Sequence, residues 1–292
     1  MTASRESDRL NHGLYLQNTP SALGELATPS NALEYAIAAE EAGWDGVFMA
    51  DALGGAGQSY VDPWVTHASI AAQTDRVRLG TWVTPVPRRQ PWQLAADLAA
   101  LDELSGGRVI FGCGLGAPWN YESTGIGYDP RDLGARYDEA LEVIVELWTG
   151  EEVTYDGDHY AIDALQLPVT PVQEPRIPTV MGCWWPNEKP FDRAARWDGV
   201  MPVAPAFYGG EGVQGEQITG TIEEELSDMM AYYHGVADDP GDVFVPIDVP
   251  EAPPDFLETC REVGMTWTLT TSLLDDDGHE ANLERIREGP PG

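Results

Sequence analysis

Gly46-Val-Phe-Met-Ala-Asp51 followed by a helical pattern over Pro63 to Gln73, then Val77-Arg-Leu-Gly-Thr-Trp-Val-Thr84 followed by another over Pro91 to Leu104, make two consecutive strand-then-helix units. Both strands are almost continuously apolar, as a sheet covered on both faces requires. On the N-terminal side the same unit occurs once more. Gly13-Leu-Tyr-Leu-Gln17 reads as a strand, and Ala32, Leu33, Ala36 and Ile37 recur at helical spacing before a stop at Gly43, with Asn31 and Glu34 as a cap pair. On the C-terminal side Arg108-Val-Ile-Phe-Gly112 precedes a long helix in which Leu141, Ile144, Val145 and Trp148 mark one face. Four units are complete by Gly150.

An interruption follows. Glu152 to Ile162 alternates at period two around Asp156-Gly157, the signature of a β-hairpin, so 151–176 reads as an insertion. The alternation resumes with Ile177-Pro-Thr-Val-Met-Gly182 and a helix near Pro190 to Arg196. Gly199-Val-Met-Pro-Val203 comes next, with a helix opening at Thr221 and Glu224 three later. Val243-Phe-Val-Pro-Ile247, a helix near Asp255 to Val263, and Thr266 to Thr271 with a last helix complete the chain. Eight βα units in 292 residues predict a single (β/α)8 TIM barrel over 1–292 with a polar N-terminal tail at 1–11. A doubly wound sheet is the alternative, because alternation alone does not prove closure.

Bulk composition narrows the function classes. With 42% apolar and 22% charged residues the chain can bury a full core, and no apolar run approaches the length of a membrane span. Cys113, Cys183 and Cys260 are odd in number and widely spaced, which argues against a disulfide framework and for a cytoplasmic setting. The net charge of −33, with Lys189 as the single lysine, excludes nucleic acid and anionic membranes as partners. Carboxylates occur in every segment, so the whole surface is acidic. Molar salt shortens the Debye length to roughly 3 Å and removes such self-repulsion. A salt-loving cell fits this best, with an unusually acidic mesophilic protein as the alternative.

A barrel places its site at the C-terminal strand ends. That selects Asp51, Thr81 to Thr84, Gly112 to Asn120, Gly182 to Trp185 and the start of the loop after Val203. Two long loops there, Ala117 to Arg131 and Ala204 to Gly220, are candidate lids, the second a mobile loop over 204–220. Other chemistries compete poorly. Pro118 and Trp119 follow Gly112-x-Gly-x-Gly116 where a dinucleotide fingerprint needs a helix. His12, His67, His159, His234 and His279 do not converge on strand ends, so no metal site is expected, and His67 reads as a helix residue with a satisfied hydrogen bond. Cys113 reads as a small buried hydrophobe.

Several stretches resemble the bacterial luciferase-like flavin-dependent oxidoreductases, including their branch that uses the deazaflavin coenzyme F420. They are Ala39-Glu-Glu-Ala-Gly-Trp-Asp-Gly-Val47 with Asp51, Thr74 to Val83, Pro91 through Leu101-Asp-Glu-Leu-Ser-Gly-Gly-Arg-Val109, and Gly112-Cys-Gly-Leu-Gly116. Arg136 to Glu139, Leu147-Trp-Thr-Gly150, Ile177 to Gly182 and Ala194-Ala-Arg-Trp-Asp-Gly199 follow in the same order. The resemblance spans roughly residues 12 to 203 and is thin beyond. It implies a (β/α)8 barrel with an insertion after the fourth unit, a homodimer, and two-electron hydride transfer by a flavin or deazaflavin in the barrel mouth.

Residue by residue, the resemblance puts Thr81, Trp82 and Val83 behind the cofactor ring, with a non-prolyl cis peptide at Trp82-Val83. It puts Asp51 at the ring's polar edge, Asn120 beside the deazaflavin, and the phosphate near Gly182 and Cys183. Trp119, Trp184 and Trp185 are read together with Trp82 as an aromatic substrate wall, with packing under the hairpin as the alternative for Trp184 and Trp185. The chain departs from the family where a catalytic histidine follows that aspartate, since it has Ala52, and where an acid precedes Asn120, since it has Ala117. Asp51 and Glu122 are left as candidate catalytic groups, Tyr121 being the other group in reach from the same loop, and Lys189 as a candidate phosphate contact. The expectation is hydride transfer between coenzyme F420 and a small organic substrate, a reductase of an activated C=C or C=N bond before an alcohol dehydrogenase. An FMN-dependent monooxygenase with a separate flavin reductase, and a barrel that binds ligand without turnover, are the alternatives.

Overall fold

The computed structural model describes residues 9–16, 28–53, 61–122, 124–204, 221–247, 255–271, 273–274 and 277–291. Strands β1 (Asn11–Tyr15), β2 (Gly46–Met49), β3 (Arg78–Thr81), β4 (Thr84–Pro85) and β5 (Val109–Gly114) alternate with helices α1 (Pro29–Ala42), α2 (Pro63–Ala71), α3 (Pro91–Ser105) and α4 (Pro130–Trp148). The hairpin β6 (Val153–Asp156) and β7 (Ala161–Leu165) follows. Then come β8 (Thr179–Trp184), α5 (Glu188–Ala194), β9 (Gly199–Val203), α6 (Ile222–Val236), β10 (Asp242–Pro246), α7 (Phe256–Glu262), β11 (Trp267–Thr270) and α8 (His279–Arg287).

Parallel pairing of β1 with both β2 and β11, and of β5 with both β3 and β8, closes the sheet on itself, which excludes the doubly wound alternative. β4 continues the line of β3 after a break at Trp82-Val83, so eight staves form the barrel and β6–β7 stands apart as an antiparallel pair. The third expected strand is thus two pieces. Its halves pair with different parts of β5: Leu79 opposite Val109, and Thr84 opposite Cys113.

Inside the barrel Phe48, Ile110, Val180, Met201, Phe244, Trp267 and Leu269 fill the bore. Phe244 and Trp267 stack at 5.1 Å and Phe48 meets both edge-on, a packed plug and not a pore. Alternate residues of the same strands face outward into the helix layer, as in Met49, Cys113, Met181 and Cys183.

Helical carboxylates fix the connections. Glu40 of α1 accepts the backbone N–H groups of Asp75, Arg76 and Val77 ahead of β3. Glu139 of α4 accepts those of Asp158, His159 and Tyr160 in the hairpin turn, and Asp102 of α3 accepts those of Val172 and Gln173. Arg108 spends its guanidinium on Ser105 O, Thr74 Oγ1, Val77 O, Ala71 O and Thr74 O, tying α2, α3 and β3 together.

Local boundaries differ from expectation in three places. α1 is capped by Thr28, whose Oγ1 accepts the Asn31 N–H, because Pro29 supplies the first helical residue and moves the start three residues upstream of the expected pair. β1 begins at Asn11 and Leu10 is already buried in the core, while residues 1–8 of the expected 1–11 tail lie outside the described residues. Thr221 and Glu224 do form the expected capping box on α6. The loop over 204–220 lies, from 205, outside the described residues. No helix among the described residues is long and apolar enough to cross a membrane.

Candidate active site

The bulge between β3 and β4 is built by side chains on its outer side and by glycines on its inner side. Trp82-Val83 is a cis peptide. Trp82 N–H donates to Met49 O of β2, while Thr84 Oγ1 donates to Thr81 Oγ1, which donates to Gly112 O at 2.7 Å. Thr81 is fully buried, so its hydroxyl clamps the bulge and does not reach the mouth, contrary to expectation. On the inner side, a Cβ on Gly112 would lie 1.7 Å from Thr81 O, so only glycine lets the two backbones approach. Val83 sits over two more glycines, where an added Cβ would lie 2.9 Å from its side chain at Gly114 and 3.2 Å from it at Gly182.

What this leaves on the inner face is apolar and aromatic. Tyr15, Trp82 and Val83 pack on top of the bore cluster, and the Tyr15 and Trp82 rings meet edge-to-face at 5.6 Å. Trp184 follows Val180 and Gly182 on the inward side of β8. Cys183 has the opposite parity. It packs into the helix layer beside Cys113, burial pushes its thiol well up, and only its backbone borders the mouth. Trp185 departs from expectation as well: it stacks edge-on against Phe191 at 5.6 Å and lies 6.0 Å from Tyr232, under α5 and α6. Trp119 is 44% exposed on the loop after β5.

Asp51 is 2% exposed at the end of β2. Its Oδ1 accepts from Arg88 Nη2 at 2.5 Å and Arg89 Nη2 at 2.7 Å, and its Oδ2 from Arg89 Nε at 2.6 Å. Both arginines stand on the short turn after β4, so the acid links β2 to the bulge. Burial pulls Arg88 below the ordinary guanidinium value; for Arg89 burial acts the same way but the Asp51 hydrogen bonds and charge outweigh it. Asp51 is therefore an ion-pair anchor turned toward the Arg88-Arg89 turn, with no oxygen open to the mouth. Nothing in the sequence pairs these residues, which lie 37 and 38 positions apart.

Asn120 is buried, and its Oδ1 accepts the Ala117 N–H at 2.7 Å. That bond fixes the side chain and leaves Nδ2 without a hydrogen bond among the described residues. Tyr121 points its hydroxyl at Leu115 O, and burial pushes its pKa up, so it holds the loop. Glu122 is exposed, its side chain making no hydrogen bond to a described residue, so nothing aims it at a reacting atom. Lys189 is exposed as well, and Glu188 occupies the first turn of α5, where a carboxylate opposes a phosphate. Cys113 accepts from Tyr137 Oη at 3.1 Å, and burial pushes its thiol up to about 12, which removes it as a nucleophile. Among the described residues no group of three or more His, Cys, Asp or Glu side chains forms a metal site.

Tyr15 was missed in the sequence because it sits in an apolar run and reads as one more strand residue. The signal available was parity: two positions after Gly13, which faces Phe48 and Leu269 in the bore, a tyrosine must emerge at the mouth.

The family model for luciferase-like monooxygenases matches residues 10–208. An F420-dependent glucose-6-phosphate dehydrogenase from Nakamurella multipartita is 38% identical over 143 residues, covering 46% of this chain and 41% of that protein. The chain thus aligns with less than half the length of that curated relative. Two solved structures share the fold at a TM-score of 0.74 and 19% identity. A monooxygenase from Streptomyces bottropensis aligns over 95% of this chain and 97% of its own, and an F420-dependent secondary alcohol dehydrogenase bound to an F420–acetone adduct over 96% and 98%. Barrel closure, the inserted hairpin, the bulged third stave and the match over 10–208 agree, and the chain belongs to the bacterial luciferase-like flavin and F420 oxidoreductase family.

Proposed function

We propose that this protein is an oxidoreductase that transfers a hydride between bound coenzyme F420 and a small organic substrate carrying an activated C=C or C=N bond. The observation that carries the reading is the mouth itself. Val83 lies over Gly114 and Gly182 and with Trp82 and Tyr15 makes an apolar surface on top of the bore, Trp184 shares the inward side of β8, and Asn120 has its Oδ1 fixed by Ala117 N–H with Nδ2 left over as a donor. An apolar, aromatic surface of this kind favours a planar conjugated ring over a hydrated polar group. When bound, the deazaflavin supplies or accepts the hydride. The protein's part is to hold two planar reactants in contact and exclude water, by which positioning alone lowers the barrier by several kcal/mol, on the order of 7.

Ala52 and Ala117 occupy the places where the family resemblance calls for a histidine and an acid, and Asp51 is consumed by Arg88 and Arg89. Among the described residues no side chain is placed to take a proton from an alcohol, which favours reduction of an activated double bond. The names of the relatives favour the deazaflavin over FMN. An FMN-dependent monooxygenase is the second reading, favoured by the equally good structural match to the Streptomyces enzyme. A homodimer is the assembly this reading calls for, with a separate flavin reductase on the FMN route only.

Equilibrium titration of the protein in molar potassium chloride with F420 and with FMN, followed by tryptophan quenching, tests the proposal. Trp82 and Trp184 border the floor and report either ligand. Tight binding of F420 alone is the expected result; preference for FMN transfers the proposal to the monooxygenase, and binding of neither overturns it.

A further inference from the structure

We infer that this site binds its ligand through the ring and gives the ligand's phosphate no partner, so that the phosphate-free alcohol of F420, with the same ring and ribityl chain, is held as tightly as F420 itself. The inference rests on the proposed deazaflavin site. A phosphate attached to a ring at the mouth has to meet cations, backbone N–H groups or a helix N-terminus at the C-terminal ends of the staves. All three are engaged or opposed. Arg88 and Arg89, after β4, share Asp51. Arg88 Nη1 has no partner but is buried, in a side chain that is 4% exposed, so a phosphate would have to displace protein to reach it. Arg131 stands between Asp129 and Asp132 at the start of α4, and Lys189 stands next to Glu188 at the start of α5. The stretches outside the described residues that follow β1, β2, β9 and β10 in sequence, 17–27, 54–60, 205–220 and 248–254, contain no lysine, arginine or histidine. They carry Glu25, Glu211, Glu216, Asp248 and Glu251 instead.

The backbone is engaged as well. At the end of β8, Trp185 N–H donates to Val203 O at 2.8 Å, Pro186 has no N–H, and Asn187 N–H donates to Trp184 O at 3.1 Å. After β5, Ala117 N–H donates to Asn120 Oδ1, Asn120 N–H to Ala117 O, and the Tyr121 and Glu122 N–H groups to Pro118 O. Helix starts lie at the same end of the barrel, because each helix follows a parallel strand. Asp62 caps α2 and Asp129 caps α4, each accepting a backbone N–H of its helix. Glu188 lies in the first turn of α5, Glu223, Glu224 and Glu225 in that of α6, Glu258 in that of α7 and Glu280 in that of α8. Each puts a fixed negative charge where an anion would sit. The starts of α1 and α3 lack such an acid, and they open on Pro29 and Pro91, which removes one N–H from each. Among the described residues the mouth thus offers an apolar surface to a ring, inside a rim of carboxylates. The phosphate stays in solvent, where a net charge of −33 repels it at low salt. A cationic phosphate site has the opposite salt dependence, since added salt weakens its ion pairs.

Dissociation constants by tryptophan quenching test this for F420 and its phosphate-free alcohol, and for FMN and riboflavin, at about 0.5 M and about 2 M potassium chloride. The unaltered protein and Lys189→Gln are compared. The alcohol is expected to bind within about fivefold of F420, the balance to shift toward F420 as salt rises, and Lys189→Gln to change neither affinity. F420 bound more than about fivefold tighter than the alcohol, or an F420 advantage that shrinks as salt is added or disappears in Lys189→Gln, overturns the inference and leaves the deazaflavin reading intact. Binding of FMN and riboflavin alone transfers the cofactor reading to the monooxygenase, and the ratio of those two then decides the inference by the same limits. If none of the four ligands binds, both readings fall.

Discussion

Asp51→Asn separates an ion-pair anchor from a cofactor contact. Asp51 accepts three hydrogen bonds from two guanidiniums at 2.5 to 2.7 Å; its side chain is 1% exposed and that of Arg88 4%. An amide in its place keeps the volume, loses the charge, and turns two N–H donors toward guanidinium donors. Arg88 already has Nη1 buried without a partner, and with the carboxylate gone it keeps only the Asp51 carbonyl oxygen, which its Nη2 reaches at 2.9 Å. Breaking one side of a buried pair costs about 3–5 kcal/mol, which in a domain of this size lowers Tm by roughly 6–15 °C. Urea unfolding, which leaves ionic strength unchanged, followed by tryptophan fluorescence measures it. The bulge residues hang from the same turn, so F420 affinity falls too, as a consequence of lost stability. A variant within about 1 kcal/mol of the original, but with F420 affinity lost, refutes the anchor and returns Asp51 to the cofactor.

Other perturbations probe the same frame. His67 on α2 is fully buried, donates Nε2–H to Gly80 O at 2.8 Å, and has Nδ1 without a partner, so the hydrogen bond expected from sequence satisfies only half of it. Burial pulls its pKa from 6.5 down to about 4. The unfolded chain therefore binds a proton first, and stability drains as pH falls from 6.5 toward 4, by up to about 3 kcal/mol; His67→Gln removes that slope, and an unchanged pH profile by urea unfolding counts against it. Gly112→Ala, whose Cβ would sit 1.7 Å from Thr81 O, is expected to abolish the native bulge and soluble expression, whereas Gly182→Ala, at 3.2 Å from Val83, folds and binds F420 about tenfold more weakly. Comparable expression of both variants contradicts the account of the bulge. The net charge of −33 leads us to expect that Tm rises steadily from about 0.1 M to about 2 M potassium chloride, measured by thermal fluorescence; a flat response contradicts the high-salt reading.

Strand parity explains both what was legible in the chain and what was not. The apolar runs mark the staves to within about two residues, because a buried parallel strand is predominantly apolar, with only a few buried polar residues such as His12, Thr81, Thr179 and Thr268. Parity at their ends was harder to read. Gly182, Cys183, Trp184 and Trp185 are adjacent in sequence, yet Gly182 and Trp184 face the bore while Cys183 faces the helices, and Trp185 turns under α5 before the Trp185-Pro186 cis bond. A one-residue difference reverses the side, and periodicity in an all-apolar run does not mark it. The Asp51 anchor was hidden for another reason: its partners come from the turn after β4, across a whole βα unit. Tyr15 was hidden by its apolar company.

Anaerobic single-turnover mixing of the protein with reduced F420 and a panel of activated alkenes and imines tests hydride transfer most directly, with return of the oxidised deazaflavin absorbance as the signal. The account expects oxidation that depends on protein and on substrate and needs no oxygen. Oxidation that occurs only with oxygen and reduced FMN, with none from F420, contradicts it and identifies the site as a monooxygenase.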